Sequence, residues 1–266
     1  MHIIITINLR HVQHTEAMTN DVAWREYNVH EDYGNTNNQT QEEEASNQPV
    51  DIFAPKEEDA YEVHEYNFDG DCEKVTIALR EQKDYDVSTG MSVWKGSEIL
   101  CQYSIRHLDL IRDKRVLELG AGVGLCGVVS AKVIGASSVL LTDGDHTVLR
   151  NLRYNMELNE LGRKVACPQL IWGKSRAEDF QKEHGKQDVI LATDCVYVTK
   201  SVRPMFETIA QLLVTNGVFL FVNSCASICP LEEVMRISRE FGFVAPSDEL
   251  WYQPGNEKDP VYVFRR

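Results

Sequence analysis

The segment Asp194-Cys195-Val196-Tyr197 sets a carboxylate and a phenol three residues apart, directly after the apolar run Val189-Ile190-Leu191-Ala192. A carboxylate at such a strand end orients an amine by accepting its N–H, and an aromatic face tolerates the positive charge an attacking nitrogen acquires. Asp194 is read as an orienting group more than a base, because a nearby carboxylate favours the protonated ammonium. The plainer alternative is a strand-end Asp that caps the following helix, with Tyr197 packed on it. Upstream, Val116-Leu117-Glu118-Leu119 runs into Gly120-Ala121-Gly122-Val123-Gly124, a strand entering a glycine turn that opens a helix. Backbone approaches a nucleotide-like ligand closely through such a turn. Asp143 follows 23 residues after Gly120, at the end of the next apolar run, where a carboxylate accepts hydrogen bonds from two ribose hydroxyls.

Two ligands compete for this geometry. Gly122-Val123-Gly124-Leu125-Cys126-Gly127 satisfies the dinucleotide spacing G-x-G-x-x-G, but that register carries the strand through Gly120 and Ala121. The register beginning at Gly120 places Glu118 at the strand end beside the loop, where an acid faces a cationic ligand. S-adenosylmethionine carries a sulfonium and an amino group and has no pyrophosphate to seat on the helix N-terminus. The alternative for Glu118 is a solvated or salt-bridged acid.

These residues need a scaffold that brings strand ends together. From residue 114 onward short apolar strands at 116–119, 139–142, a third ending at Trp172, 189–192 and 218–222 alternate with helical stretches at 125–134, 146–159, 175–184, 200–214 and 230–241. That alternation predicts βαβ units and a mostly parallel sheet between helices, a doubly wound, Rossmann-like α/β fold. Pro260-Val261-Tyr262-Val263-Phe264, after a long polar loop, predicts an antiparallel edge strand. Before the main domain, residues 61–68 alternate with period two and 75–79 follow a turn-rich break, which reads as a β-hairpin. Ile99, Leu100, Tyr103 and Leu108 predict an amphipathic helix over 96–108.

Composition narrows the function classes. The 266 residues are 43% apolar with a net charge of −14, which rules out a rod, a collagen and a disulfide mini-protein. Residues 1–74 hold 17 Asp/Glu against 4 Lys/Arg, whereas 75–266 hold 24 against 23, so the acidity belongs to the N-terminal segment. No basic stripe is present for a sequence-independent grip on nucleic acid, which is not expected as a partner. No run approaches the roughly 18 apolar residues of a membrane span, and Ile3-Ile4-Ile5 is too short for a signal peptide and lacks its basic leader. Seven scattered cysteines without a Cys-x-x-Cys unit point to free thiols in a reducing compartment, with no metal site.

With these residues in hand, the sequence resembles the class I, seven-strand S-adenosylmethionine-dependent methyltransferases, and within them the protein-lysine methyltransferases marked by Asp-x-x-Tyr. The motifs are Thr89-Gly90-Met91-Ser92-Val93-Trp94, Glu118 through Gly124, Leu141-Thr142-Asp143, Leu170-Ile171-Trp172-Gly173 and Asp194-Cys195-Val196-Tyr197. The stretch Val139-Leu140-Leu141-Thr142-Asp143-Gly144 looks especially like the calmodulin-lysine branch. The resemblance implies that Gly120, Ala121 and Gly122 line the methionine part of the cofactor and that Asp143 holds its ribose. It further implies that Trp172 lies against the adenine, Trp94 closes over the cofactor, Thr193 contacts it by backbone, and Asp194 with Tyr197 orients the target amine. For both tryptophans the alternative is core packing. The long acidic leader departs from the compact family pattern.

The sequence reading is therefore an enzyme that transfers methyl groups from S-adenosylmethionine to a lysine side chain of a protein. Methylation of another amine, a non-catalytic cofactor-binding module and a nicotinamide-dependent oxidoreductase are the competing readings. The expected organisation is a largely disordered acidic leader over 1–50, with Met18 an alternative start, a hairpin over 51–86 and the catalytic domain over 87–266. A cytoplasmic location, with the nucleus in addition, is expected.

Overall fold

The computed structural model describes residues 60–70, 74–83, 89–224 and 229–266. The leader over 1–50 and Cys225 lie outside the described residues, as do parts of the 51–86 segment. Strands β1 (Tyr61–Asp69) and β2 (Lys74–Gln82) pair antiparallel, with Tyr61 opposite Gln82 and Asp69 opposite Lys74, as the period-two pattern predicts. Helix α1 (Lys95–Arg106) leads into a seven-stranded sheet formed by β3 (Arg115–Leu119), β4 (Ser138–Thr142), β5 (Val165–Ala166), β6 (Gln187–Thr193), β7 (Leu213–Val222), β8 (Trp251–Gln253) and β9 (Asn256–Phe264). Their order is β5-β4-β3-β6-β7-β9-β8. The first five run parallel, and β9 lies antiparallel to β7.

The sheet is buried on both faces, and strand alternation divides the core. Val116, Val139, Val189, Leu191, Leu220 and Val222 point to one side, where α1, α2 (Leu125–Val129, continuing as a π-helical turn over Ser130–Ile134) and α3 (His146–Leu158) pack. Leu117, Leu119, Ile190, Ala192, Phe219 and Phe221 point to the other, against α4 (Lys174–His184), α5 (Val202–Leu212) and α6 (Leu231–Glu240). Successive residues of one strand therefore serve opposite cores, which is why these strands read as unbroken apolar runs.

Two expectations need correction. The third strand does not reach Trp172: β5 stops at Ala166, because Pro168 has no N–H to continue the ladder, and only an isolated bridge joins Gln169 to Asp143. The C-terminal strand is antiparallel as expected but is not outermost, since part of the segment read as polar loop forms β8 and pairs on its far side.

The hairpin is held to the main domain by α3. Asn151, Asn155 and Asn159 recur every four residues on one face and clamp the outer edge of β2. The amide of Ala78 donates to Asn159 Oδ1 (3.1 Å) and the amide of Arg80 to Asn155 Oδ1 (2.7 Å). Asn159 Nδ2 returns a bond to the Ala78 carbonyl (2.7 Å), and Asn151 Nδ2 one to the Arg80 carbonyl (2.9 Å). An edge strand thus has its backbone groups satisfied by side chains instead of a further strand.

Candidate active site

The carboxyl ends of β3, β4 and β6 converge, and each delivers one element of the site. After β3, the chain turns through Gly120 (φ +62°), Gly122 (φ +56°) and Gly124 (φ +93°), all left-handed. At Gly120 a side chain is opposed by space as well as by conformation, and at Gly122 it would be crowded. A Cβ at Gly120 would lie 2.7 Å from Cys195 Cβ and 3.6 Å from Trp172 Cζ2, and one at Gly122 would lie 3.2 Å from the Gly90 carbonyl oxygen. Ala121, buried in the turn, donates its amide to the Thr142 carbonyl (2.8 Å), which ties the loop to the end of β4.

Asp143 follows β4 and is half-buried. Its Oδ2 accepts from the Gly122 amide (3.2 Å) and its Oδ1 from the Asp145 amide (3.1 Å). Burial raises its pKa, and the surrounding amides of Asp145, Gly122 and Gly144 oppose the rise. Asp145 caps α3 by accepting from the Thr147 amide (2.6 Å).

Glu118 is neither solvated nor salt-bridged. It is 2% exposed, and its Oε2 accepts from the Gly127 amide at 2.8 Å, inside the turn. Burial pushes its pKa up to about 8. The Gly127 amide and the Cys126 thiol pull it down, and Asp143 adds to the rise. Gly127 is needed here too, because a Cβ on it would meet Leu141 Cδ2 at 1.8 Å.

Asp194 lies at the end of β6 in the left-handed region (φ +48°), where a non-glycine residue is uncommon, and its amide donates to the Val222 carbonyl (3.0 Å). Its carboxylate is 8% exposed at the residue level and accepts from three donors: the Gly96 amide (2.7 Å), the Ser224 amide (2.5 Å) and the Ser224 hydroxyl (2.7 Å). It therefore does not cap the helix that follows it. It satisfies an orphan amide in the first turn of α1 and ties that turn to the end of β7. A Cβ on Gly96 would lie 2.5 Å from Asp194 Oδ2, so only glycine permits this approach. Thr193 is buried, with its hydroxyl 2.8 Å from that of Ser97. Tyr197 is 44% exposed.

Trp94 immediately precedes α1 and donates its indole N–H to the Thr89 carbonyl (2.7 Å). The hairpin fixes this segment: Glu81 accepts from the Val93 amide (2.7 Å) and from the Tyr66 hydroxyl (2.7 Å). Trp94 and Trp172 are both half-buried, so neither is simply core. The structure thus brings Gly120, Ala121, Gly122, Asp143 and Trp172 together with the Thr193–Asp194 corner, and ties Trp94 to that corner through Gly96. Glu118 sits beneath the turn. Sequence reasoning missed Gly96, Ser97, Ser224 and Glu81, and named Gly90 only within a motif; the one available signal for the others was a glycine, Gly96, at a predicted helix start.

A doubly wound seven-strand sheet with a glycine turn and a carboxylate at adjacent strand ends defines the α/β methyltransferase fold. It is shared, for example, with the T. thermophilus 16S rRNA N2 G1207 methyltransferase (TM-score 0.52, 18% identity, covering 77% of this chain and 51% of that one). The model of the lysine methyltransferase family matches residues 73–227, and the chain belongs to that family. It is 35% identical over 182 residues to the Xenopus tropicalis protein N-lysine methyltransferase METTL21A, covering 65% of this chain and 75% of that one. It is 32% identical over 153 residues to the Chaetomium thermophilum protein-lysine N-methyltransferase EFM3, covering 54% of this chain. The match spans 46% of that relative's length.

Proposed function

We propose that this protein is an S-adenosylmethionine-dependent N-methyltransferase whose acceptor is a lysine side chain of a protein. The observation that carries the reading is the contact between the two halves of the site: Cys195, the residue after Asp194, lies 2.7 Å from where a Gly120 Cβ would be. The ligand cradle and the acceptor corner therefore share a wall, as direct transfer between two bound groups requires.

The residues present fit the methyl donor. Gly120 and Gly122 let bare backbone turn closely against Cys195, Trp172 and Gly90, and Asp143, whose bond from Gly122 is long, keeps acceptor capacity for ribose hydroxyls. When bound, S-adenosylmethionine supplies a methyl carbon activated by a sulfonium. Trp172 presents its ring at the edge of the glycine turn and would be the surface for the adenine, and Trp94, held to the Thr89 carbonyl, would close over the cofactor. The bonds from Gly96 and Ser224 fix the orientation of the Asp194 carboxylate, which would accept an N–H of the incoming neutral amine. Tyr197 offers a ring face to the charge that develops on nitrogen. Tyr197 and Val198, both more than 40% exposed, form an open rim that suits a side chain on a large substrate better than a small enclosed amine. A cytoplasmic and nuclear location belongs to the same reading and is supported by the five described cysteines, all free thiols.

The test is transfer of labelled methyl from S-adenosylmethionine into a cell extract by wild type and Asp194→Asn, with protein and small-molecule fractions counted separately. A labelled protein band lost in the variant supports the reading. Label confined to small molecules overturns the protein acceptor, and cofactor binding without transfer overturns catalysis.

A further inference from the structure

Strand β2 turns Ile77, Leu79 and Glu81 to one buried face; the first two are fully buried and Glu81 is 6% exposed. Alternation alone calls for a third apolar residue at this position. A carboxylate here is costly, since it leaves water without gaining a cation: among the described residues Glu81 has no ion-pair partner. The Glu98 carboxyl in the first turn of α1 adds to the cost, because burial first and the charge of Glu81 second hold it above the usual carboxylate range.

The carboxylate joins two elements. Its Oε1 accepts from the Tyr66 hydroxyl of β1 (2.7 Å), and its Oε2 accepts from the amide of Val93 (2.7 Å), in the segment that enters α1. That segment is pinned elsewhere along its length. Gly90 is wedged in place: a Cβ on it would lie 2.7 Å from Val148 Cγ2, and its carbonyl oxygen backs Gly122. Trp94 donates its indole N–H to the Thr89 carbonyl (2.7 Å), and Gly96 donates its amide to Asp194 (2.7 Å). The Val93 amide is therefore where the hairpin sets the path of the backbone into Trp94.

We propose that Glu81 is a positioning residue for the methyl donor: by holding the Val93 amide it fixes the backbone that carries Trp94, so that the hairpin and the sheet complete one cofactor site. The inference rests on the methyl-donor reading above, in which Trp94 closes over the cofactor. A bond to backbone suits this role, because it sets the approach of the chain and leaves the ring face of Trp94 to pack on the ligand. Fixing the segment beforehand lowers the ordering cost of binding. Loss of Glu81 therefore falls on cofactor affinity.

The test is a double-mutant cycle in the full chain, with affinity for S-adenosylhomocysteine measured by calorimetry and folding followed by urea unfolding. Glu81→Leu, which extends the Ile77 and Leu79 face, should stay folded and bind about tenfold more weakly, the equivalent of one lost hydrogen bond. Glu81→Gln, which keeps an oxygen for the Val93 amide, should bind within about threefold of wild type. Trp94→Ala should also weaken binding, and Glu81→Leu/Trp94→Ala should bind no more weakly than Trp94→Ala alone, because Glu81 acts through Trp94. Hydrogen exchange at the Val93 amide of wild type should slow when the ligand binds, a readout that needs no variant. Unchanged affinity in Glu81→Leu, an equal loss in Glu81→Gln, losses that multiply in the double variant, or Val93 exchange indifferent to the ligand would each overturn the proposal. No binding by wild type would overturn the methyl-donor reading on which the inference rests, an outcome distinct from all of these.

Discussion

Replacing Glu118 by Gln should make the protein more stable, and increasingly so as the pH rises. The carboxyl is 2% exposed on a central strand, and burial lifts its pKa from 4.5 to about 8. Because the folded pKa lies above the unfolded one, the folded state binds the extra proton between these values, and stability falls as pH rises through that window. At about 1.36 kcal/mol per unit, the stability lost through Glu118 relative to low pH is on the order of 1 kcal/mol at pH 5.5 and on the order of 4–5 kcal/mol at pH 8.5. Glutamine retains an oxygen for the Gly127 amide, 2.8 Å from Glu118 Oε2, but does not titrate. Urea unfolding of both proteins at pH 5.5, 7.0 and 8.5 should therefore show the stability difference growing in favour of the variant by about 3 kcal/mol across the range. Asp143, also raised by burial, titrates in both proteins, so its contribution cancels except for the part that comes from its coupling to Glu118. A difference that stays constant with pH would refute the reasoning, since Glu118 would then not be a buried titrating acid.

Gly120→Ala combines a left-handed φ of +62° with a contact 2.7 Å from Cys195 Cβ. It should cost about 2 kcal/mol of stability and at least about tenfold in S-adenosylmethionine affinity, measured by urea unfolding and calorimetry. Asn155→Ala removes the acceptor of the Arg80 amide (2.7 Å) and the donor to the Val123 carbonyl (3.0 Å). With both partners buried or half-buried, the loss should be about 3 kcal/mol in urea unfolding; a change below about 1 kcal/mol would show that water replaces the ladder. Ser224→Ala removes the hydroxyl that donates to Asp194 at 2.7 Å and should slow methyl transfer with little change in cofactor affinity.

The parts of the fold that sequence revealed are those with local causes. Strands β3, β6 and β7 announce themselves as apolar runs because alternate residues feed two different cores. Gly120 and Gly122 mark a left-handed turn because no other residue enters it without strain. Asp143 and Asp194 were legible as acids at strand ends. Their partners were not, since Gly96 and Ser224 reach Asp194 from 98 and 30 residues away and no spacing rule connects them. The asparagine ladder was hidden for a related reason: Asn151, Asn155 and Asn159 look like polar positions on a helix until β2, more than 70 residues earlier, is placed against them. The length of β5 was misjudged because Leu170 and Trp172 carry apolar character past Pro168 without a ladder to join. Glu118 was placed correctly at the strand end, but its burial under Gly127 depends on the close packing of a helix that contains that glycine. The same geometry alters one expectation about Asp194. Asp194→Ala would strand the Gly96 and Ser224 donors, at about 1–3 kcal/mol for each one buried, so Asn is the cleaner probe of its role.

The central claim is most directly tested by identifying the atom that receives the methyl group. Protein from an extract labelled by the wild-type chain would be hydrolysed and its amino acids separated, with Asp194→Asn run alongside. The account predicts label in methyllysine, lost or strongly reduced in the variant while cofactor binding persists. Label in any other amino acid, or methyllysine formed equally by the variant, would contradict it.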